Sequence, residues 1–129
     1  MKHYDVVAAL IECEGKYLCM QRGQTRYAYT SFRYEFPGGK VELGETEEEA
    51  LHREIREEMG CEIEIVRRLR IIDHAYPDFS VTLAIYLCRT ERPEFQLREH
   101  VAFCWLPREE MPRLPWVEAD REFVESLSP

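Results

Sequence analysis

Residues 39–61, GKVELGETEEEALHREIREEMGC, join a glycine-containing loop to a segment with helical periodicity. Thr46 and Glu49 have the spacing of a capping box, and Gly60 is a typical C-cap, so we predict a helix that begins near Glu47 and ends at Gly60. Its apolar stripe consists of Leu51, Ile55 and Met59. The segment therefore predicts an amphipathic helix that packs against a sheet.

Three acidic residues share one flank of this predicted helix. Relative to Leu51, Glu57, Glu54 and Glu58 project at about 240°, 300° and 340° around the axis. Their repulsion destabilises the helix unless a cation is bound, and carboxylate oxygens suit Mg²⁺ or Mn²⁺. An acidic run by itself is more often a solvated helix face. The preceding Gly38-Gly39 favours a ligand site, because glycines let backbone groups approach a ligand closely.

The composition predicts one soluble globular domain over residues 1–129, with 45% hydrophobic and 33% charged residues. No apolar run approaches the roughly 18 residues of a membrane span, and the N-terminus lacks the features of a signal peptide, so we expect a cytoplasmic protein without a membrane partner. The net charge of −8 argues against duplex nucleic acid as a partner, because phosphate binding needs a basic face.

Cysteine and histidine spacing gives no support for a zinc site. The five cysteines form no CxxC pair, and the four histidines form no HxH or HExxH motif. We expect reduced, mostly buried cysteines.

The rest of the chain predicts a mixed α/β or α+β domain with the order β-β-β-α-β-β-β-α. Glu14-Gly15 predicts a hairpin turn between the first two strands, and the near-continuous apolarity of the first strand indicates burial on both faces. Residues 23–33 are expected to form a loop. The predicted strands cover residues 6–12, 16–22, 34–40, 62–72, 78–90 and 101–106, and the second helix covers residues 117–127.

The box around the first helix resembles the signature of the Nudix hydrolases. Its fixed positions are Gly39, five residues, Glu45, seven residues, Arg53-Glu54-Ile55, one residue, Glu57-Glu58, one residue, and Gly60. Cys61 departs from the aliphatic residue that the family prefers, which is a mild change. The segments EFPGGK, QR at the end of the second strand, and LREHVAFCWLP resemble the MutT branch, so the resemblance covers nearly the whole chain.

The resemblance implies an α/β/α sandwich, with a mixed β-sheet between helices, that binds Mg²⁺ or Mn²⁺ and hydrolyses nucleoside diphosphates linked to another group. Transferred position by position, the implied metal ligands are the Gly38 carbonyl and the carboxylates of Glu54, Glu57, Glu58 and Glu99. One of the box glutamates would act as the general base. A solvated loop glutamate is the alternative for Glu99.

The resemblance also implies roles for residues around the metal. Arg53 would orient the catalytic acids, and Glu45 would support the loop. Arg22 and Lys40 would hold the substrate phosphates. In isolation, each of these residues is more often an ordinary surface group.

Base recognition is implied for Asp120, at the start of the last helix. A carboxylate accepts hydrogen bonds from an exocyclic amine or a ring N–H, so a cytosine and a guanine-type base both fit. A solvated helix residue is the alternative. Phe36 is the candidate stacking surface for the base, together with Tyr34, Phe79 and Trp116, although aromatic residues at strand spacing are more often core.

The implied reaction converts a nucleoside triphosphate to the monophosphate and pyrophosphate, for sanitation or housekeeping of the nucleotide pool. The substrate would be of the 8-oxo-dGTP or CTP/dCTP type. A pyrophosphatase of ADP-ribose or a nucleotide sugar is an alternative, supported by Pro77 sixteen residues after the box. A non-catalytic nucleotide sensor is another, although we would expect it to lack box carboxylates or the arginine. The sequence leaves open monomer or homodimer, sugar preference and metal number.

Overall fold

The structure is a computed structural model and describes residues 1–127. Its strands are β1 (Lys2–Cys13), β2 (Lys16–Arg22), β3 (Tyr34–Glu35), β4 (Gly38–Lys40), β5 (Glu64–Ala75), β6 (Phe79–Arg89) and β7 (His100–Leu106). Its helices are α1 (Glu47–Met59), a 3₁₀ helix (Arg108–Arg113) and α2 (Glu118–Ser126).

The sheet is mixed, as predicted. Its strands follow the order β3-β2-β1-β6-β5, with β4 paired to β1 and β7 paired to β2. The β1 and β6 strands are parallel, whereas the other pairs are antiparallel. Glu14 and Gly15 form the hairpin turn between β1 and β2, with φ angles of 53° and 79°.

The central strand β1 is buried on both faces, which confirms the prediction for residues 6–12. Alternate side chains of a strand point to opposite sides of the sheet. Val7, Ala9 and Ile11 therefore pack with the apolar stripe of α1, whereas Ala8 and Leu10 pack in the layer that contains α2. The sheet between two helical layers confirms the predicted α/β/α sandwich.

The predicted boundaries of α1 are confirmed. The Thr46 hydroxyl accepts from the Glu49 amide at 3.1 Å, while the Glu49 carboxylate accepts from the Thr46 amide at 2.8 Å. Gly60 ends the helix with a φ of 65°, a left-handed conformation that suits glycine. The predicted stripe of Leu51, Ile55 and Met59 is buried, which anchors one face of α1 to the sheet.

Two parts of the secondary structure differ from the prediction. Residues 34–40 form two strands rather than one: β3 pairs with β2, and β4 pairs with β1. Phe36 and Pro37 lie between them, and this break lets the chain cross from one neighbour to another. The second difference is the 3₁₀ helix, whose short length gives too little periodicity to be detected in the sequence.

The cysteines and the helices can be compared with the expectations of reduced thiols and of no membrane span. The cysteines are free, as expected, but only two of them are fully buried and three are partly buried, so the expectation of mostly buried cysteines is wrong. Among residues 1–127, the helices are all too short or too polar to cross a bilayer.

Candidate active site

A cleft of about 910 Å³ opens beside the N-terminal half of β1. Most of the predicted site residues line it, although they come from separate parts of the chain. These residues are Arg22, Phe36, Gly38, Lys40, Glu54, Glu58, Glu99 and Asp120. Three predicted residues do not line this cleft: Glu57, Arg53 and Glu45. A second, larger depression of about 1230 Å³ lies at the carboxyl end of α1.

Arg53 is the centre of a hydrogen-bond network that connects α1 to the loop before it. Its Nε and Nη2 donate to the two Glu45 oxygens at 2.6 and 2.9 Å, and Nη2 also donates to the Lys40 carbonyl at 3.0 Å. Its Nη1 donates to Glu54 at 2.8 Å and to Glu57 at 3.3 Å. The Arg53 bond lowers the pKa of Glu45 to about 2. This geometry is compatible with the predicted orienting role of Arg53.

Glu58 is the most deeply buried of the box acids, with 4% of its surface exposed. Its carboxylate accepts one long hydrogen bond, 3.3 Å, from the Gly38 amide. Burial, followed by the charges of Glu35, Glu54 and Glu99, raises its pKa to about 9. A buried carboxylate among like charges is costly unless a cation is close.

Glu54 lies against the backbone of β4. A Cβ atom built on Gly39 would overlap the Glu54 carboxylate, so only glycine leaves room for this side chain. Burial raises the pKa of Glu54, while the Arg53 bond partly opposes that change. Glycine at position 39 therefore forms a cradle for an acid of α1.

The donors fit a hard divalent cation in their chemistry, because the cleft offers carboxylate oxygens, including a buried and poorly compensated acid, beside a glycine backbone. In this conformation, no three Asp, Glu, His or Cys side chains of residues 1–127 are gathered closely enough to hold an ion. Arg53 instead engages Glu54 and Glu57, and the Glu57 side chain is 57% exposed. The predicted ligand set therefore stays a prediction.

The base-recognition candidate Asp120 is buried at the start of α2, with 6% exposure. Its Oδ2 accepts from the Phe36 amide at 2.9 Å. Burial, followed by the nearby Glu35 charge, raises its pKa to about 8. It is therefore no solvated helix residue, and it lines a cleft that is shared with the box acids.

The aromatic candidates differ in what they can offer a base. Trp116 has no exposed surface, and Phe36 is 3% exposed with its ring centroid 4.8 Å from that of Trp116. Phe79 lines the cleft and packs against Tyr76 at 4.9 Å, whereas Tyr34 lies outside it. Phe36 is therefore chiefly a core residue in this structure, and a stacking role for it remains a prediction.

The predicted phosphate ligands already have partners. Arg22 Nη1 donates to Glu35 at 3.2 Å, and Lys40 Nζ lies 4.0 Å from the centroid of the Tyr4 ring. Pro77 is exposed in the turn between β5 and β6 and does not line the cleft, so its position has a local explanation.

Two cleft residues were missed in the sequence. Glu35 accepts from Arg22 and also lies 2.9 Å from His100 Nε2, while His100 Nδ1 is buried without a hydrogen-bond partner among the described residues. Both lie inside quoted motifs, EFPGGK and LREHVAFCWLP. For Glu35, the available signal in the sequence was a charged residue within a short apolar strand. For His100, the sequence offers no such signal, because a lone histidine does not predict which residue it will contact.

Comparison with known proteins identifies the class. Residues 1–127 match the family model of the NUDIX domain, so the chain belongs to the Nudix family and is a Nudix hydrolase. Nudix hydrolases generally require a divalent metal.

Particular relatives are similar over most of the chain. The CTP pyrophosphohydrolase of Escherichia coli (strain K12) is 38% identical, covering 98% of this chain and 93% of that protein. The putative 8-oxo-dGTP diphosphatase 2 of Mycobacterium tuberculosis (strain ATCC 25618 / H37Rv) is 38% identical over 97 residues, 74% of this chain and 69% of that protein. The solution structure of the E. coli ORF135 protein has a TM-score of 0.81 at 32% identity, covering 97% and 88% of the two chains.

Proposed function

We propose that this protein hydrolyses a nucleoside triphosphate to the monophosphate and pyrophosphate, with Mg²⁺ or Mn²⁺ as cofactor. The observation that carries the proposal is the shared cleft, in which the box acids Glu54 and Glu58 and the buried carboxyl group of Asp120 line one cavity. A nucleotide has a charged end and a base with hydrogen-bonding edges, so it suits a cleft that offers both kinds of group.

Each part of the cleft has a role in this reaction. A bound divalent ion supplies Lewis acidity at a phosphoryl oxygen and offsets the negative charge of the substrate. Glu54, Glu57 and Glu58, with Glu99 and the Gly38 carbonyl, would hold that ion, and one of the box glutamates would accept the proton from the attacking water. Arg53 and Glu45 keep these acids oriented through their hydrogen bonds.

The substrate is held at two further points. Arg22 and Lys40 line the cleft and approach the phosphates once they leave Glu35 and the Tyr4 ring. Asp120 binds the base edge through Oδ1, because its Oδ2 is engaged by the Phe36 amide. Its raised pKa, about 8, lets the neutral carboxyl donate as well as accept.

Two base classes remain in the proposal. The similarity to a CTP pyrophosphohydrolase favours CTP or dCTP, and the similarity to a putative 8-oxo-dGTP diphosphatase favours an oxidised guanine nucleotide. Both bases present an exocyclic amine or a ring N–H from which a carboxyl group accepts a hydrogen bond.

A product-resolved screen tests the proposal. Canonical and modified ribo- and deoxyribonucleoside triphosphates, together with ADP-ribose, are incubated with the protein and Mg²⁺ or Mn²⁺. We expect monophosphate and pyrophosphate from a cytosine or oxidised guanine nucleotide, and a much lower rate for Glu57→Gln. Ribose phosphate from ADP-ribose as the main product would assign the nucleotide-sugar class instead. The same negligible rate for both proteins on every nucleotide would indicate a sensor.

A further inference from the structure

The segment between β6 and β7 contacts the carboxyl end of α1 just before it delivers Glu99 to the cleft. The Gln96 amide donates to the Met59 carbonyl at 2.9 Å, and the Phe95 side chain packs against the core layer that contains α1. These contacts fix residues 95 and 96. The position of Glu99 then depends on the residues that follow.

Arg98 makes further contacts between this segment and the helix. Its Nη1 donates to the carbonyl of Arg56 at 3.1 Å and to that of Glu57 at 3.4 Å, and its Nε donates to the Gln96 side chain at 3.0 Å. A guanidinium group can make these bonds at once because its donors lie in one rigid plane. The last carbonyls of a helix carry partial negative charge, so they suit a cation, and the Arg56 carbonyl accepts from Arg98 in addition to the Gly60 amide at 2.9 Å.

The neighbouring glycine makes room for this arrangement. A Cβ atom on Gly60 would lie 2.7 Å from Arg98 Nη2, closer than atoms pack. Gly60 therefore ends α1 in the left-handed conformation, and the guanidinium packs directly over it.

We propose that Arg98 is a positioning residue that ties the segment before Glu99 to the carboxyl end of α1, and so holds the Glu99 carboxylate on the same rigid body as Glu54 and Glu58. Glu99 lines the cleft with both of these acids although it lies some forty residues further along the chain. The charge of Glu99 contributes to the raised pKa values of Glu54 and Glu58, as expected for groups that face one another.

The inference rests on the proposed function, in which Glu99 is a cation ligand, and it adds how that ligand is held. Without Arg98, the exposed Glu99 side chain would sample more positions relative to α1. Binding of a cation would then carry the entropic cost of ordering this side chain. A simple helix cap would stabilise α1 equally well whether or not residue 99 is a ligand. This difference separates the positioning role from a merely structural one.

A double-mutant cycle tests the inference in the whole protein without nucleotide. Mn²⁺ affinity is measured by electron paramagnetic resonance of the free ion for wild type, Arg98→Gln, Glu99→Gln and the double variant. We expect Arg98→Gln to weaken Mn²⁺ binding about tenfold when Glu99 is present, and to have no further effect when residue 99 is glutamine. Thermal unfolding of each variant checks that it is folded.

Two further variants serve as controls. Arg92→Gln removes the same charge from the same segment, and we expect unchanged Mn²⁺ affinity because the hydrogen bonds of Arg92 with Thr90 use only its backbone. Arg98→Lys keeps the charge near the helix end but loses the planar fork, so we expect partial rescue. Faster amide exchange at Gln96 in Arg98→Gln would show directly that the segment has loosened.

The outcomes distinguish this inference from the proposed function. If Glu99→Gln weakens Mn²⁺ binding but Arg98→Gln does not, the positioning role is wrong while the role of Glu99 stands. The positioning role is also wrong if Arg98→Gln weakens Mn²⁺ binding by the same factor with glutamate and with glutamine at residue 99. Arg98 would then act independently of Glu99. If Glu99→Gln leaves the affinity unchanged, the ligand role of Glu99 fails, and the positioning role fails with it.

Discussion

At the scale of one residue, Glu58 lowers the stability of the fold at a position where the proposed site would bind a cation. Its carboxylate is buried, has one long hydrogen bond and faces other acids, which together raise its pKa to about 9. Such a group destabilises the protein until a cation compensates it. Functional sites often depart from optimal stability in this way.

The substitution Glu58→Gln should therefore separate stability from activity. We expect the free energy of unfolding to rise by on the order of 1 kcal/mol, because a neutral amide replaces a poorly compensated acid. We expect kcat/KM to fall by at least about 100-fold. Denaturant unfolding and a pyrophosphate-release assay measure the two effects. Glu48→Gln, at an exposed position in the first turn of α1, is the control, and a stability loss at Glu58→Gln would contradict the argument.

Asp120 makes a pH-dependent prediction. Because its pKa is raised from 3.8 to about 8, the folded protein keeps a proton in this window that the unfolded chain releases. The free energy of unfolding of the wild type should therefore decrease as pH rises through the window. Asn at this position can still accept from the Phe36 amide but does not titrate.

We accordingly expect Asp120→Asn to gain stability relative to wild type as pH rises from 5 to 7, by up to about 1.4 kcal/mol for each pH unit. Denaturant unfolding of both proteins at several pH values measures the difference. A difference that is constant with pH would show that the Asp120 carboxyl group does not titrate in this window.

At the scale of elements, the contact between β4 and α1 places the helix that carries the box acids. Gly39 lies where a Cβ atom would overlap the Glu54 carboxylate, and Arg53 connects the Lys40 carbonyl to the acids of α1. The spacing between Gly39 and Glu54 in the box therefore follows from the close approach of a strand and a helix. A larger residue at either side of this contact would move an acid.

Gly39→Ala should mainly reduce activity, whereas Thr46→Ala should mainly reduce stability. Gly39→Ala displaces the Glu54 carboxylate, so we expect kcat/KM to fall at least about tenfold with a smaller relative loss of stability. Thr46→Ala removes the helix cap, so we expect a loss of about 1 kcal/mol in the free energy of unfolding with activity largely kept. Unfolding and activity measurements on both variants test this contrast. Equal activity losses would contradict the cradle at Gly39.

At the scale of the whole molecule, the cleft combines both layers of the sandwich. The box acids come from the α1 layer, Asp120 comes from the α2 layer, and β1 separates the two layers. The proposed ligand Glu99 reaches the cleft from the segment before β7. Binding at such a site should stabilise the folded state as a unit, because the unfolded chain cannot gather these groups.

Metal addition and removal should therefore change both stability and activity. We expect the thermal midpoint to rise with Mg²⁺ concentration, corresponding to about 2.7 kcal/mol at 100 times the dissociation constant. Chelation by EDTA should abolish hydrolysis. Calorimetric scans at constant ionic strength measure the shift, with NaCl as the matched control for screening. An equal shift with NaCl would show general charge screening rather than a specific site.

Local rules in the sequence determined the elements of this protein. The capping box, Gly60 and the stripe of α1 define a helix without reference to the rest of the chain, and the apolar run of β1 indicated burial on both faces. The Nudix box identified the family because its residues keep fixed separations. These features are encoded by neighbours within a few turns or strand residues, which is the range over which periodicity and capping act.

The tertiary structure alone decided which distant groups meet. The sequence could not show that residues 34–40 divide between two partner strands, that Glu35 binds both Arg22 and His100, or that Arg98 caps the helix that carries the acids. It also could not show that Asp120 and Glu58 are buried and Glu57 exposed. Contacts between residues far apart in the chain depend on how the layers pack, and no local spacing records that packing.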